Sequence, residues 1–161
     1  MEQLNSSKVW PYLSTAACAV AGSIVTDPKS DWYKSLDKPA WQPPGWLFPI
    51  VWTALYADIA ATAMQTVREL ENDGSTDEAE EYRRAHLVNL ALNFGWSALF
   101  FAAKRPVLAA VEAAALAVSS WDLVRRAGSV RRQRGYRLAP YGLWCSFAAV
   151  LSTEIARRNR G

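Results

Sequence analysis

Charge is segregated along this chain. Segments 9–26, 39–57, 87–103 and 138–153 hold no Asp, Glu, Lys or Arg, and segment 106–124 holds only Glu112 and Asp122. A soluble amphipathic helix carries charge on its outer face every turn or so, and none of these segments does. They run 16 to 19 residues, somewhat short of the roughly 20 of a spanning helix but within reach once flanking residues snorkel. The pattern predicts an all-α integral membrane bundle of five transmembrane helices, at about 9–26, 46–67, 87–103, 106–124 and 138–156. Together they make a single domain over 1–161, with a loop at 27–45.

A mean hydropathy of −0.07 looks soluble only because an average hides this segregation. Segment 68–86 is a polar hairpin with seven acids against three arginines, turning at Gly74 and Ser75, with Thr76 or Asp77 placed to cap the next helix. Six arginines fall between Arg125 and Arg137. Between two spanning helices such a cluster meets anionic lipid headgroups, so no nucleic-acid partner is expected. Lys and Arg divide ten against eight between the two sides, a difference too small to orient the protein. The start, MEQLNSSKVW, shows no cleavable signal. Cys18 and Cys145 fall in different helices without metal-type spacing and read as small packing residues. His86, the one histidine, sits at a predicted membrane boundary and receives no role.

Two helices carry stripes. Asn89, Asn93, Trp96 and Phe100 are spaced i, i+4, i+7, i+11, and Tyr141, Trp144, Ala148 and Ser152 are spaced i, i+3, i+7, i+11. Carboxamides facing lipid are costly, so the first stripe should face the interior. There the Asn pair serves either interhelical hydrogen bonding or the polar part of an apolar pocket walled by Trp96 and Phe100. Trp52 and Tyr56, four apart, share a face of the second helix. Asp58 and Glu112 lie inside predicted spans and should face a partner or water. Ala17-x3-Ala21 and Cys18-x3-Gly22 place small residues one turn apart, which suits close helix contact or simply an alanine-rich helix. The first helix should begin near Pro11.

Residues 32–56 read WYKSLDKPAWQPPGWLFPIVWTALY and hold four of the eight tryptophans and four of the eight prolines. Proline stiffens the backbone and disfavours helix before it, so the first half should be rigid and non-helical, with Pro44 in the first turn of the following helix. The segment reads either as a lid over an apolar pocket or as an interfacial aromatic belt.

The pattern WY-x2-L-x-KP-x-W-x-PP-x-W-x-F-P-x-VW-x2-LY, with LALNFGWSALFF at 90–101 and PYGLWCSFAAVLS at 140–152, resembles the tryptophan-rich sensory protein and translocator protein family (TspO/MBR, the peripheral-type benzodiazepine receptors). The resemblance covers nearly the whole chain. It implies a five-helix membrane protein, often dimeric, whose first loop roofs a cavity for tetrapyrroles such as protoporphyrin. Several members also bind sterols and benzodiazepine-type drugs. It places Trp52 and Trp144 in the pocket, Tyr33 in the lid, and Asn93, Trp96 and Ala148 along the cavity wall. Ser152 stands where the family pattern has Asn. Thr153 stands where the proposed cholesterol motif needs Tyr, so specific sterol recognition is not expected.

The expected ligand-binding residues are therefore Tyr33, Trp52, Tyr56, Asn93, Trp96, Phe100, Trp144 and Ala148. The expected function is a receptor or carrier for porphyrins or related hydrophobic molecules, serving sensing, sequestration or transport. Lys34 and Lys38 would meet the propionates. No metal or further cofactor is expected; porphyrin is ligand, and the lipid bilayer and a second copy are the other partners. The location is a bacterial cell membrane. No hydrolytic triad, metal set or phosphate loop appears. An enzymatic alternative is light-dependent porphyrin degradation through Trp52 and Trp144, and a third reading is a structural membrane partner.

Overall fold

The computed structural model of the protein describes residues 3–160, so the extreme ends of the expected 1–161 domain lie outside the described residues. The chain is all-helical over that range: α1 (Gln3–Val25), α2 (Asp31–Ser35), α3 (Leu47–Asn72), α4 (Thr76–Ser97) with a π turn (Ala98–Ala102), α5 (Pro106–Val130) and α6 (Arg132–Arg158). Among the described residues, three helices are long and apolar enough to cross a membrane: α3, α4 with its π turn, and α5. Val9–Val25 of α1 is a shorter apolar stretch.

These helices are longer than the uncharged segments. The 26 residues of α3 rise about 39 Å, against the ~30 Å of a bilayer core. The polar hairpin and the arginine cluster are therefore helical continuations. Only Asp73, Gly74 and Ser75 separate α3 from α4, and only Arg131 separates α5 from α6. Gly74, at φ 78°, supplies the left-handed turn. The cap position falls at Ser75, whose side chain makes no cap bond, while Thr76 and Asp77 lie inside the first turn.

α1 likewise starts upstream of Pro11, which lies buried within the helix. In α3 it is Pro49, not Pro44, that occupies the first turn; Pro44 sits in the turn before it, accepting from Leu47 N–H at 3.0 Å. As the third helical residue, Pro49 costs nothing, because the first four N–H groups of a helix have no partner anyway.

The outer surface suits lipid. Leu13, Val20, Ile24, Ile50, Val111, Val118, Leu143 and Val150 are all 60% or more exposed, a display a soluble protein avoids. Inside, α5 and α6 approach each other closely near their connection. A β-carbon on Gly135 would come within 2.9 Å of Gly128 Cα, so a side chain there would force the helices apart. The small residues of α1 divide between two faces. Cys18 donates to Leu90 O at 3.3 Å, and a β-carbon on Gly22 would touch Ser97 Oγ at 3.9 Å. Both therefore face α4 within the chain, while Ala17 faces outward.

Ion pairs tie together the ends of α3 to α6. Glu69 holds Arg131 (2.9 Å) and Arg134, Glu71 holds Arg83, and Arg126 spans Asp122 and Glu81. Asp58 finds its partner in Arg137, Nε to Oδ1 2.5 Å.

Candidate functional site

The two stripes face inward, and a chain of hydrogen bonds joins them. Tyr56 Oη donates to Asn93 Oδ1 (2.7 Å), and Asn93 Nδ2 donates to Tyr141 Oη (3.4 Å). Tyr141 Oη donates to Asn89 Oδ1 (2.6 Å), Asn89 Nδ2 to Ser120 Oγ (3.1 Å), and Ser120 Oγ to Leu116 O (2.7 Å). Every bond points the same way, so each polarises the next, and four helices (α3, α4, α6 and α5) are linked. Asn89, Tyr141 and Ser120 are fully buried. Without these bonds each polar group would carry its full desolvation cost.

Aromatic rings fill the space on the lid side of this chain. Trp52 lies against Tyr56 at 5.4 Å and meets Tyr141 and Trp144 edge-on at 6.5 Å. Trp144 in turn contacts Phe48 (5.7 Å) and Phe147 (5.3 Å), and Phe147 contacts Trp41 of the lid (5.9 Å). Among the described residues, buried Trp144 Nε1 has no hydrogen-bond partner.

A second group forms around the π turn. Trp96 stacks on Phe100 at 6.0 Å, and Phe100 receives Trp32 (5.5 Å) and Tyr33 (6.2 Å) from the lid. The wider π turn brings consecutive Phe100 and Phe101 to the same lid residue, Tyr33 lying 5.5 Å from Phe101. Trp96 Nε1 donates to Ser152 Oγ at 3.0 Å, so the Ser152 hydroxyl ties α6 to the indole of α4. Ala148, 7% exposed, lies one turn from both Trp144 and Ser152 on α6.

Six of the eight expected residues thus fall into two clusters. Trp52, Tyr56 and Trp144 belong to one; Tyr33, Trp96 and Phe100 belong to the other. Asn93 lies at the polar edge of the first, and Ala148 lies along α6 between Trp144 and Ser152. The sequence reading missed Trp32, Phe48, Phe101 and Phe147. Phe147, three residues after Trp144, was open to a spacing argument, whereas Phe101 depends on the π turn.

The lid is only partly non-helical. Asp27 and Ser30 start the five-residue α2 by accepting from Lys29 N (3.0 Å) and Tyr33 N (3.3 Å). Local capping thus wins upstream of the prolines, and residues 36–46 are non-helical. Lys38, expected at ligand propionates, folds back on the lid: its Nζ donates to Tyr33 O (2.7 Å) and Leu36 O (2.9 Å) and lies 4.8 Å from the Tyr33 ring centre. Lys34 remains exposed.

His86 is wholly buried, because α4 begins at Thr76 and residue 86 is already inside the bundle. It shares a 3.2 Å hydrogen bond with Thr15 Oγ1 and meets Trp10 edge-on at 5.3 Å. Glu112 lies over Gly95 of α4, where a β-carbon would come within 2.6 Å of its Oε1.

The TspO/MBR family model matches residues 12–158. The chain is 34% identical over 144 residues to the tryptophan-rich protein TspO of Chlorobaculum tepidum, covering 89% of each chain. It is 31% identical over 151 residues to the tryptophan-rich sensory protein of Cereibacter sphaeroides, covering 89% of this chain and 87% of that one. It is 33% identical over 137 residues to the translocator protein of Sus scrofa, covering 81% of this chain and 76% of that one.

Proposed function

The chain belongs to the TspO/MBR family, and from that premise we propose that it is a membrane receptor or carrier for porphyrin-type tetrapyrroles. It is a multi-pass integral membrane protein. In this reading α1, α3, α4, α5 and α6 each cross a bacterial cell membrane once, and the outward face of α1 around Ala17 packs against a second copy.

The observation that supports the ligand class is Trp144. Its buried Nε1 has no partner among the described residues, although a buried indole N–H normally finds one. The rings around it, Trp52, Phe48 and Phe147, are apolar. A flat apolar macrocycle carrying acceptor atoms satisfies both conditions: it stacks on the rings and accepts from the indole. Trp52 and Trp144 touch edge-on, so the ligand enters by parting them beneath the lid. Of the two lysines expected at the propionates, Lys34 is exposed and Lys38 is folded back, so Lys34 is the one that meets a carboxylate.

Titration with protoporphyrin in a folded detergent sample tests this. Saturable quenching of tryptophan fluorescence at micromolar ligand is expected, with affinity lowered about tenfold in the Trp52→Phe, Trp144→Phe double variant. No quenching in a folded sample overturns the reading. Illuminating the same samples separates binding from light-driven breakdown: porphyrin absorbance lost faster with wild type than with the double variant indicates a reaction.

A further inference from the structure

Outside the aromatic interior, a groove of about 640 Å³ runs along the outer face where α4 and α5 lie side by side. Glu81 and Arg84 of α4 with Asp122 and Arg126 of α5 line one end. Ala85, Val88, Ala115 and Val118 line the other. The helices are antiparallel, so all four charges fall at the same end. From Glu81 to Val88 a helix rises about 10 Å, enough to pass from a charged zone into the apolar one. Trp121, 40% exposed and adjacent to Asp122, marks the level of the membrane interface, where amphipathic rings collect. Val88 and Val118, 56% and 72% exposed, form the walls, and the alanines keep the floor low.

The charges in the groove balance, two of each sign, and they are not equally engaged. Asp122 is held by Arg125 (2.7 Å) and Arg126 (2.6 Å), and Arg126 reaches Glu81 at 3.2 Å. The outermost groups are then Glu81 and Arg84, with side chains 66% and 76% exposed. They lie three residues apart on one face of α4, as neighbours on a helix surface do. Among the described residues Arg84 has one ion pair, with Glu80 at 3.5 Å.

We infer that this groove binds a glycerophospholipid with a zwitterionic, primary-amine headgroup. The phosphate meets Arg84, the ammonium donates to Glu81, and one acyl chain lies between Val88 and Val118. A purely anionic headgroup would meet the carboxylates of Glu81 and Asp122 as well as the arginines. A second copy of the chain is the weaker occupant. A stable protein interface spreads over about 800 Å² on each partner, whereas this volume lies in the range of small-molecule sites.

The test is native mass spectrometry of the full-length protein from detergent containing equal amounts of phosphatidylethanolamine, phosphatidylcholine and phosphatidylglycerol. The wild type should retain phosphatidylethanolamine preferentially. Glu81→Gln, a surface change that leaves the bundle intact, should cut the preference over phosphatidylcholine about tenfold by removing one charge-assisted bond. Val118→Trp should fill the groove and abolish retention, with circular dichroism and protoporphyrin quenching unchanged. Equal retention of the three lipids, preference for phosphatidylglycerol, or a preference unaltered by Glu81→Gln overturns the assignment. Loss of dimer in Val118→Trp with lipid retention intact also overturns it and gives the groove to a second copy.

Discussion

Asn159 and Asp37 hold each other reciprocally across 122 positions of sequence: Asp37 N donates to Asn159 Oδ1 and Asn159 Nδ2 donates back to Asp37 O, both at 2.9 Å. The same carboxamide also donates to Ile155 O at 2.8 Å, closing the end of α6. Arg158 adds a 3.5 Å ion pair to the Asp37 carboxylate. The lid is thus fastened at its middle to the end of the helix that carries Trp144. Asn159→Ala should leave the bundle folded but release the lid. Each lost bond is worth about 0.5–1.5 kcal/mol, so cleavage within 29–45 in limited proteolysis should accelerate about tenfold. Unchanged protection would mean that the aromatic contacts alone hold the lid down.

Pro43 and Pro44 stiffen the lid from within. Replacing both by Gly raises the conformational entropy of the loop, so covering a ligand then costs more order. Protoporphyrin affinity should fall and protease sensitivity at 29–45 should rise. Equal affinity and equal protection would remove the lid from the binding step.

Tyr141 is the hinge of the hydrogen-bond chain. Tyr141→Phe keeps the ring against Trp52 but leaves Asn89 Oδ1 and Asn93 Nδ2 short of a partner. Interhelical hydrogen bonds in membranes are worth about 0.6–1.7 kcal/mol each, so the variant should unfold at lower denaturant in a mixed-micelle titration. A wild-type midpoint would show that the carboxamides find other partners.

The α1 face makes a paired prediction. Ala17 points outward and Gly22 lies against Ser97. Ala17→Leu should shift a dimer towards monomer in mild detergent, whereas Gly22→Leu should lower fold stability by pushing α1 from α4. If Ala17→Leu leaves the dimer intact, the second copy sits elsewhere.

Ala148 carries the clearest steric test. Threonine there adds a branched, polar side chain on the stripe between Trp144 and Ser152. A hydroxyl against an apolar ligand costs about 1–3 kcal/mol unless it finds a partner. Its bond back to the carbonyl of residue 144 or 145 relieves only the polar part of that cost. Binding of large rigid ligands should weaken about tenfold with the fold retained, while Ala148→Gly stays near wild type. Similar behaviour of the two variants would place Ala148 away from the ligand.

The segregation of charge was enough, on sequence alone, to establish a helical membrane protein, because lipid tolerates few charges over the length of a span. Period and the cost of carboxamides in lipid put Asn89 and Asn93 on an inward face, and period put Tyr141, Trp144, Ala148 and Ser152 on one stripe, which the packing then turned inward. Which groups meet was a tertiary decision. The order Tyr56, Asn93, Tyr141, Asn89, Ser120 depends on how four helices are rotated and stacked, which no single helix encodes. Lys38 looked like a ligand cation because charge is visible in a sequence and the nearest carbonyl oxygens are not. The π turn that presents Phe100 and Phe101 together adds one residue to a turn without any breaker residue to announce it. The Asp37–Asn159 clasp joins two polar residues unremarkable in their own neighbourhoods. Local chemistry selected the helices and their stripes, and only their packing decided which side chains complete one another.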